Sequence, residues 1–280
     1  RDVVGSSEYP KIVSKIENQI GYLNMQDIVE ASDAIMIDRG DLSVETDLET
    51  VALRQKAIIR TAQLLSKPVI VATEMLNSMI VNSFPSKAEV SDVTNAVLDG
   101  CSATMLSGET AVGSFPIEAV TTMRKIIEHA ESFVSSGLIA GLRPPDINRV
   151  NDATAKAIAL ICESADIDKI VAVTRSGFAA RILSSLAVNC PIIAVSDVAA
   201  NSKSFNIYAG VTGVFFPGEF STSNVSHVSA VLKYLWQQKF ITNDEHILVT
   251  ALAYPTSGKR MNLIETHLVG DLARSLAWQP

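Results

Sequence analysis

Lys15 and Glu17 stand two residues apart at the end of the apolar run Ile12-Val13-Ser14-Lys15-Ile16. Side chains at i and i+2 share one face of a strand, so an ammonium and a carboxylate should project together. A second apolar run, Ala34-Ile35-Met36-Ile37, leads directly into Asp38-Arg39-Gly40-Asp41. Two strand ends that each deliver a carboxylate, Glu17 and Asp41, with the Lys15 ammonium alongside, suit a divalent cation and a phosphorylated ligand. Magnesium takes carboxylate oxygens while keeping waters and substrate phosphates. A lysine next to it can stabilise negative charge growing on a leaving oxygen. The plain alternative is a surface lysine–glutamate pair worth ~0–1 kcal/mol.

Further polar groups end two more apolar runs. Thr73 follows Pro68-Val69-Ile70-Val71-Ala72, and Ser107-Gly108-Glu109-Thr110 follows Ala103-Thr104-Met105-Leu106. Taken singly, these read as a hydroxyl satisfied by local backbone and as a helix-capping turn. Their weight comes from convergence, since all four strand ends carry polar or ionisable groups. Arg39-Gly40-Asp41 reads as a glycine turn whose backbone N–H groups could hold a carboxylate or phosphate. A cell-adhesion role for the tripeptide is set aside, because three-residue matches arise readily by chance.

The elements that must position these groups follow a βα rhythm. Apolar runs begin near residues 11, 34, 68 and 102, with helical patterns expected over 24–31, 48–65, 87–98 and 116–132. Four such units make half of a (β/α)8 barrel, in which reactive residues sit at strand C-termini. Residues 135–148 (SSGLIAGLRPPDIN) carry two glycines and the Pro144-Pro145 pair, the punctuation of a linker. The expected division is therefore a half-barrel over 1–134, a linker over 135–148 and a second α/β domain over 149–280. In the last, helices are expected over 152–165, 177–186 and 225–240. Strands are expected over 169–174, 191–196, 210–216, 245–252 and 263–269, giving a three-layer domain of about five strands.

In that second domain, Thr174-Arg175-Ser176-Gly177 marks a strand-to-helix transition, where hydroxyls and free N–H groups form a natural anion pocket. Lys259, in the Ser257-Gly258-Lys259-Arg260 loop, could add positive charge. A pocket in a different domain from the metal site points to regulation, the alternative being two ordinary surface turns.

Composition narrows the function classes. The chain has 280 residues, 48% hydrophobic and 19% charged, with a formal net charge of −7. It lacks a basic stripe, which disfavours nucleic-acid or anionic-membrane partners. No apolar stretch approaches the ~18 residues that a membrane span needs. Cys101, Cys162 and Cys190 lack metal or redox spacing and suit reduced core thiols in a cytoplasmic protein. The four histidines lack ligand spacing and are expected to be structural. The chain begins at Arg1, which raises the expectation of a fragment or processed product.

Several segments together resemble pyruvate kinase. They are Ile12-Val13-Ser14-Lys15-Ile16-Glu17-Asn18, Asp38-Arg39-Gly40-Asp41-Leu42 and Pro68-Val69-Ile70-Val71-Ala72-Thr73-Glu74-Met75-Leu76. Ala88-Glu89-Val90-Ser91-Asp92-Val93, Asn95-Ala96-Val97-Leu98-Asp99-Gly100 and Met105-Leu106-Ser107-Gly108-Glu109-Thr110-Ala111 extend the series in the family's order. The region beyond 149 is similar to the family's C-terminal domain, more loosely, through residues 174–186, 191–195 and 262–270.

The resemblance implies phosphoryl transfer from phosphoenolpyruvate to ADP, giving pyruvate and ATP. It implies Mg2+ (or Mn2+) on Glu17 and Asp41, with Lys15 steadying the transition state and the enolate. Gly40, Asp41 and Thr73 would hold the substrate carboxylate, while Ser107 and Glu109 would lie near the proton-delivery route. It further implies a homotetramer, a phosphorylated-metabolite effector at residues 174–177 with Lys259, and K+ held by an N-terminal barrel half. That half is missing here, so the chain alone is expected to be inactive. Rival readings are a non-catalytic allosteric or oligomerising paralogue, and a metal-dependent aldolase or lyase of phosphoenolpyruvate or pyruvate.

Three positions depart from the family pattern. Asp38 replaces a small residue, Ser43 replaces a glycine, and Glu74 stands where glutamine is common. Extra carboxylates near the ion are expected to alter metal affinity or repel the substrate. The 174–177 loop also lacks the fuller hydroxyl set of sugar-bisphosphate-responsive members.

Overall fold

Short runs of β-branched and aliphatic residues form parallel strands here, and the amphipathic stretches between them form the returning helices. The computed structural model describes residues 3, 10–133, 149–188, 190–221, 223–252 and 261–279. The chain divides into two units, Arg1–Ser135 and Ser136–Pro280.

In the first unit the order is β1 (Val13–Ile16), α1 (Gln19–Leu23), α2 (Met25–Ala31), β2 (Ala34–Asp38) and α3 (Arg39–Glu45). It continues with α4 (Val51–Leu64), β3 (Val69–Ala72), α5 (Lys87–Leu98), β4 (Ala103–Met105), α6 (Gly108–Ala111) and α7 (Pro116–Glu131). The strands lie parallel in the order β1-β2-β3-β4. Pairings Ile16↔Ile37 and Ile37↔Val71 align one buried face, which packs on Val29, Ile58, Ile59, Val93 and Ala119 from the helices. Lys15↔Met36 and Met36↔Ile70 align the opposite face. Four parallel βα units with helices on one face have the form of a barrel opened along its side.

Two local devices fix the helices that flank the strand ends. Pro116 begins α7, where its missing N–H is no loss. Ser86 caps α5 in a reciprocal box with Glu89. Glu89 also accepts from the Ser78 N–H at 2.7 Å and the Ser78 hydroxyl at 2.5 Å, tying α5 to the loop after β3.

The second unit runs α8 (Arg149–Ser164), β5 (Lys169–Val173), α9 (Phe178–Ser185), β6 (Ile192–Ser196), α10 (Ala199–Ser204) and β7 (Val211–Phe215). α11 (Ser226–Gln237), β8 (His246–Ala251), β9 (Leu263–Leu268) and α12 (Val269–Ser275) follow. Its five-stranded sheet has the order β7-β6-β5-β8-β9, with β9 antiparallel to β8. Ile170 and Ala172 of β5 face a core shared with α8 and α9, while Val171 and Val173 face α11. Three layers result, with a core on each side of the sheet.

Short helices account for most differences from the sequence expectation. α1, α3, α6, α10 and α12 have no more than seven residues each, too few for an apolar period to show. The Asp38-Arg39-Gly40-Asp41 segment is not an open glycine turn: Arg39, Gly40 and Asp41 form the first turn of α3, with Asp38 as its N-cap. The last strand stops at Leu268, and Val269 begins α12. The 135–148 segment falls outside the described residues. All three cysteines are free, and Cys101 and Cys190 are buried.

Two tests follow from the packing. A Cβ on Gly213 would sit 1.9 Å from the Ser202 carbonyl oxygen, whereas one on Gly210 (φ +68) would meet nothing within 4 Å. Gly213→Ala should therefore cost about 2 kcal/mol or more in urea unfolding, and Gly210→Ala about 1 kcal/mol from backbone strain alone. Burial opposes ionisation of Glu89, but the hydrogen bonds from Ser78 and Ser86 outweigh it and hold its carboxyl below the ordinary range. With the folded value depressed, the stabilisation is complete above the unfolded value of about 4.3 and is lost as pH falls through the folded one. Glu89→Gln should lower Tm at neutral pH and flatten its decline below about pH 5.

Candidate active site

The pairing Ile16↔Ile37 sets Glu17 beside Asp38 one step further along β1 and β2, on the face that carries Lys15. The Lys15 Nζ lies 2.6 Å from Glu17 Oε2, 2.7 Å from Asp38 Oδ2 and 3.6 Å from Asp41 Oδ2. Hydrogen bonds to Asp38 and then Glu17 push the lysine pKa upward, so it is an ammonium throughout the physiological range. Asp38 is the buried member, its side chain 11% exposed against 64% for Asp41. Burial opposes its ionisation, yet hydrogen bonds from Lys15, Thr73 and the Asp41 N–H keep its carboxyl below the ordinary carboxylate range.

Glu17, Asp38 and Asp41 can each place one oxygen within 4.8 Å of the others. Three hard oxygen donors in that space fit a cation of the magnesium type. The expected pair, Glu17 and Asp41, is thus joined by Asp38, which the sequence marked only as a departure. Its position was partly legible, because Asp38 lies two residues after Met36 and shares its face. The contact with Lys15 depends on strand register, which the sequence does not display.

Thr73 directly follows β3 and reaches the same cluster. Its Oγ1 accepts from the Gly40 N–H at 2.9 Å and lies 2.9 Å from Asp38 Oδ1 and 2.6 Å from the Ala72 carbonyl. One hydroxyl proton can serve only one of those acceptors at a time. The Gly40 N–H is therefore turned to Thr73, and the Asp41 N–H faces Asp38 Oδ1 at 3.5 Å. Ser43 donates to the Gly40 carbonyl at 2.7 Å and stays within α3.

Thr73 (φ +66) and Glu74 (φ +54) both occupy the left-handed region, at a typical cost of ~1–3 kcal/mol each. Buried Arg39 holds them there. It donates to the Thr73 carbonyl at 2.9 Å and the Glu74 carbonyl at 2.9 Å, and pairs with Asp92 of α5 at 2.6 Å. Sequence reasoning gave neither Arg39 nor Asp92 a role. A charge two residues after the apolar run Ala34–Ile37 was the available signal for Arg39.

Glu109 is 2% exposed. Its two oxygens accept from the Leu76 N–H at 3.0 Å and the Ser107 N–H at 2.8 Å, so it ties the turn after β3 to the turn after β4. The buried Ser107 hydroxyl has no hydrogen-bond partner.

In the second unit Thr174, Arg175, Ser176 and Gly177 join β5 to α9, with Gly177 (φ +78) as the N-cap. β5 lies between β6 and β8, where strand order reverses and ligands of open α/β sheets commonly bind. Arg175 is not a free cation. It makes a forked pair with Asp197 at 3.0 and 2.6 Å. Thr174 is buried and Ser176 exposed. Lys259 and its loop lie outside the described residues. No helix among the described residues is long and apolar enough to cross a membrane.

Comparison with known proteins matches both units to one family. Residues 1–120 match the description "Pyruvate kinase, barrel domain" and residues 152–267 match "Pyruvate kinase, alpha/beta domain". The chain is 39% identical to a pyruvate kinase of Bacillus licheniformis over 94% of its own length and 44% of that protein's. It is 41% identical to pyruvate kinase 1 of Candida glabrata, covering 81% of this chain and 45% of that one. A crystal structure of a pyruvate kinase from Cryptosporidium parvum superposes with a TM-score of 0.80 at 32% identity, over 92% of this chain and 51% of the other. The chain spans about half the length of the relatives it matches. With both units matched in order and the acidic pair set around Lys15, the chain belongs to the pyruvate kinase family.

Proposed function

We propose that this chain carries the metal- and enolate-binding side of a pyruvate kinase site, and serves transfer of the phosphoryl group of phosphoenolpyruvate to ADP. The observation that supports this most directly is the Lys15 ammonium 2.6–3.6 Å from the carboxylates of Glu17, Asp38 and Asp41. Glu17 and Asp41 would hold Mg2+ or Mn2+. When bound, such an ion neutralises phosphoryl oxygens and the charge that develops between donor and acceptor.

Loose phosphoryl transfer asks the protein mainly for charge and positioning. Lys15 would stabilise the enolate oxygen released as the phosphoryl group departs. The Thr73 hydroxyl and the Asp41 N–H would orient the substrate carboxylate, with Gly40 fixing the Thr73 oxygen through its N–H. Of the two proton-relay candidates, Ser107 has the uncommitted hydroxyl. Both oxygens of Glu109 are engaged by backbone, so Glu109 would position Ser107.

The remaining assignments extend beyond this chain. Four further βα units, supplied by the rest of a full-length protein, would close the barrel and bring the K+ site and much of the ADP site. A cytoplasmic homotetramer is the proposed assembly. The 174–177 loop would receive a phosphorylated effector at the strand-order reversal, with Arg175 released from Asp197 to do so.

A second reading, a non-catalytic family member, draws on Asp38. That carboxylate already occupies the Lys15 ammonium at 2.7 Å.

A coupled assay of pyruvate formation decides between them. The full-length protein should turn over phosphoenolpyruvate and ADP in magnesium, and Lys15→Met should lower kcat by roughly 100-fold or more with Tm little changed. The isolated 280 residues should show no turnover until the N-terminal half is added. Absence of turnover in the full-length protein would favour the non-catalytic reading.

A further inference from the structure

The donors around the end of β2 already converge on a carboxylate, and it is the protein's own. Asp38 Oδ2 accepts from Lys15 Nζ at 2.7 Å, and Asp38 Oδ1 accepts from Thr73 Oγ1 at 2.9 Å and faces the Asp41 N–H at 3.5 Å. We propose that Asp38 is an internal occupant of the carboxylate subsite, so that a small carboxylate ligand must displace it to reach Thr73 and the start of α3. The identity of that subsite rests on the kinase reading above, while the occupancy rests on these contacts.

Helix capping alone does not account for the arrangement. An N-cap aspartate needs only an N–H of the first turn, and here that contact is the longest of the three. The two shorter ones come from β1 and from the end of β3, elements that a cap does not involve. With a short, neutral residue at 38 each of those donors would lose its competing acceptor there, Lys15 keeping Glu17 at 2.6 Å and Thr73 the Ala72 carbonyl at 2.6 Å.

Charge points the same way. Glu17, Asp38 and Asp41 face one ammonium, a formal sum of −2 that a divalent cation brings to 0. With a neutral residue at 38 the corresponding sums are −1 and +1, so the loaded site would attract an anion instead of merely tolerating one. Displacement is also hindered by burial. At 11% exposure the Asp38 side chain has little water to turn into, and its nearest alternatives lie beside two like charges. Asp38 is thereby a residue that sets ligand affinity by competing for the donors the ligand needs.

Calorimetric titration of the full-length protein with oxalate, in magnesium, tests this for the wild type, Asp38→Ala and Asp38→Ser. Oxalate is the probe because it presents carboxylates without a reacting bond. Both variants are expected to bind it about 10-fold or more tightly than the wild type, a change of ~1.4 kcal/mol. Ser retains a capping oxygen, so a gain shared by both variants does not come from a frayed α3, and Asp38→Ser carries the test if Asp38→Ala folds poorly. Adding Thr73→Val to either variant should remove most of the gain. Equal oxalate affinity in wild type and variants would overturn the proposal. Phosphoryl transfer measured in parallel separates it from the kinase reading: tighter oxalate binding without turnover in any variant counts against the kinase and leaves the displacement standing.

Discussion

Everything chemical in this chain depends on how β1 and β2 are registered. The pairing is set by apolar contacts on the far face, where Ile16, Ile37 and Val71 are fully buried beneath the helices. A slip of one residue would turn Lys15 into that core and expose Ile16 in its place. Hydrophobic burial, which knows nothing of catalysis, is therefore what brings an ammonium within hydrogen-bond reach of carboxylates from two strands. The ion pairs themselves are half-exposed at Lys15 and Glu17, and such pairs contribute little to folding. They are a result of the fold, and the site inherits its accuracy from the core.

A second tier of order comes from Arg39. A buried guanidinium needs its donors satisfied, and here they are taken by the Thr73 and Glu74 carbonyls and by Asp92. The same residue thus closes the hydrogen-bonding of a turn that no helix or sheet ladder could satisfy, and links that turn to α5. Breaking one partner of a buried charge leaves the other uncompensated, which gives this link more influence on the site than its distance from Lys15 suggests.

The strands and long helices were legible because each is a local pattern. Buried parallel strands read as continuous apolar runs such as Val69–Ala72, and α5 and α7 announce themselves through Ser86, Glu89 and Pro116. Within the site, Lys15, Glu17, Asp41 and Thr73 could be singled out because each falls at or near a strand end. What could not be read was partnership. Asp38 meets Lys15 across a strand pair, and Arg175 meets Asp197 across 22 residues, so neither contact leaves a trace in local spacing. α3 was obscured for a different reason: Gly40 and the flanking charges favour a turn by composition, and helix formation there rests on the Asp38 cap and on Leu42, which is fully buried.

The paired left-handed residues Thr73 and Glu74 carry one more implication, for anyone who would engineer or trace the evolution of this segment. Glycine at 74 would relax the backbone and raise stability, as at any such position whose side chain is dispensable. It would equally widen the range of backbone conformations open to the turn while Arg39 keeps its carbonyls, and the Thr73 oxygen would then sample a wider arc. Thermostability and a well-aimed hydroxyl are set against each other at a single residue, so a screen for melting temperature alone would select the less sharply aimed site.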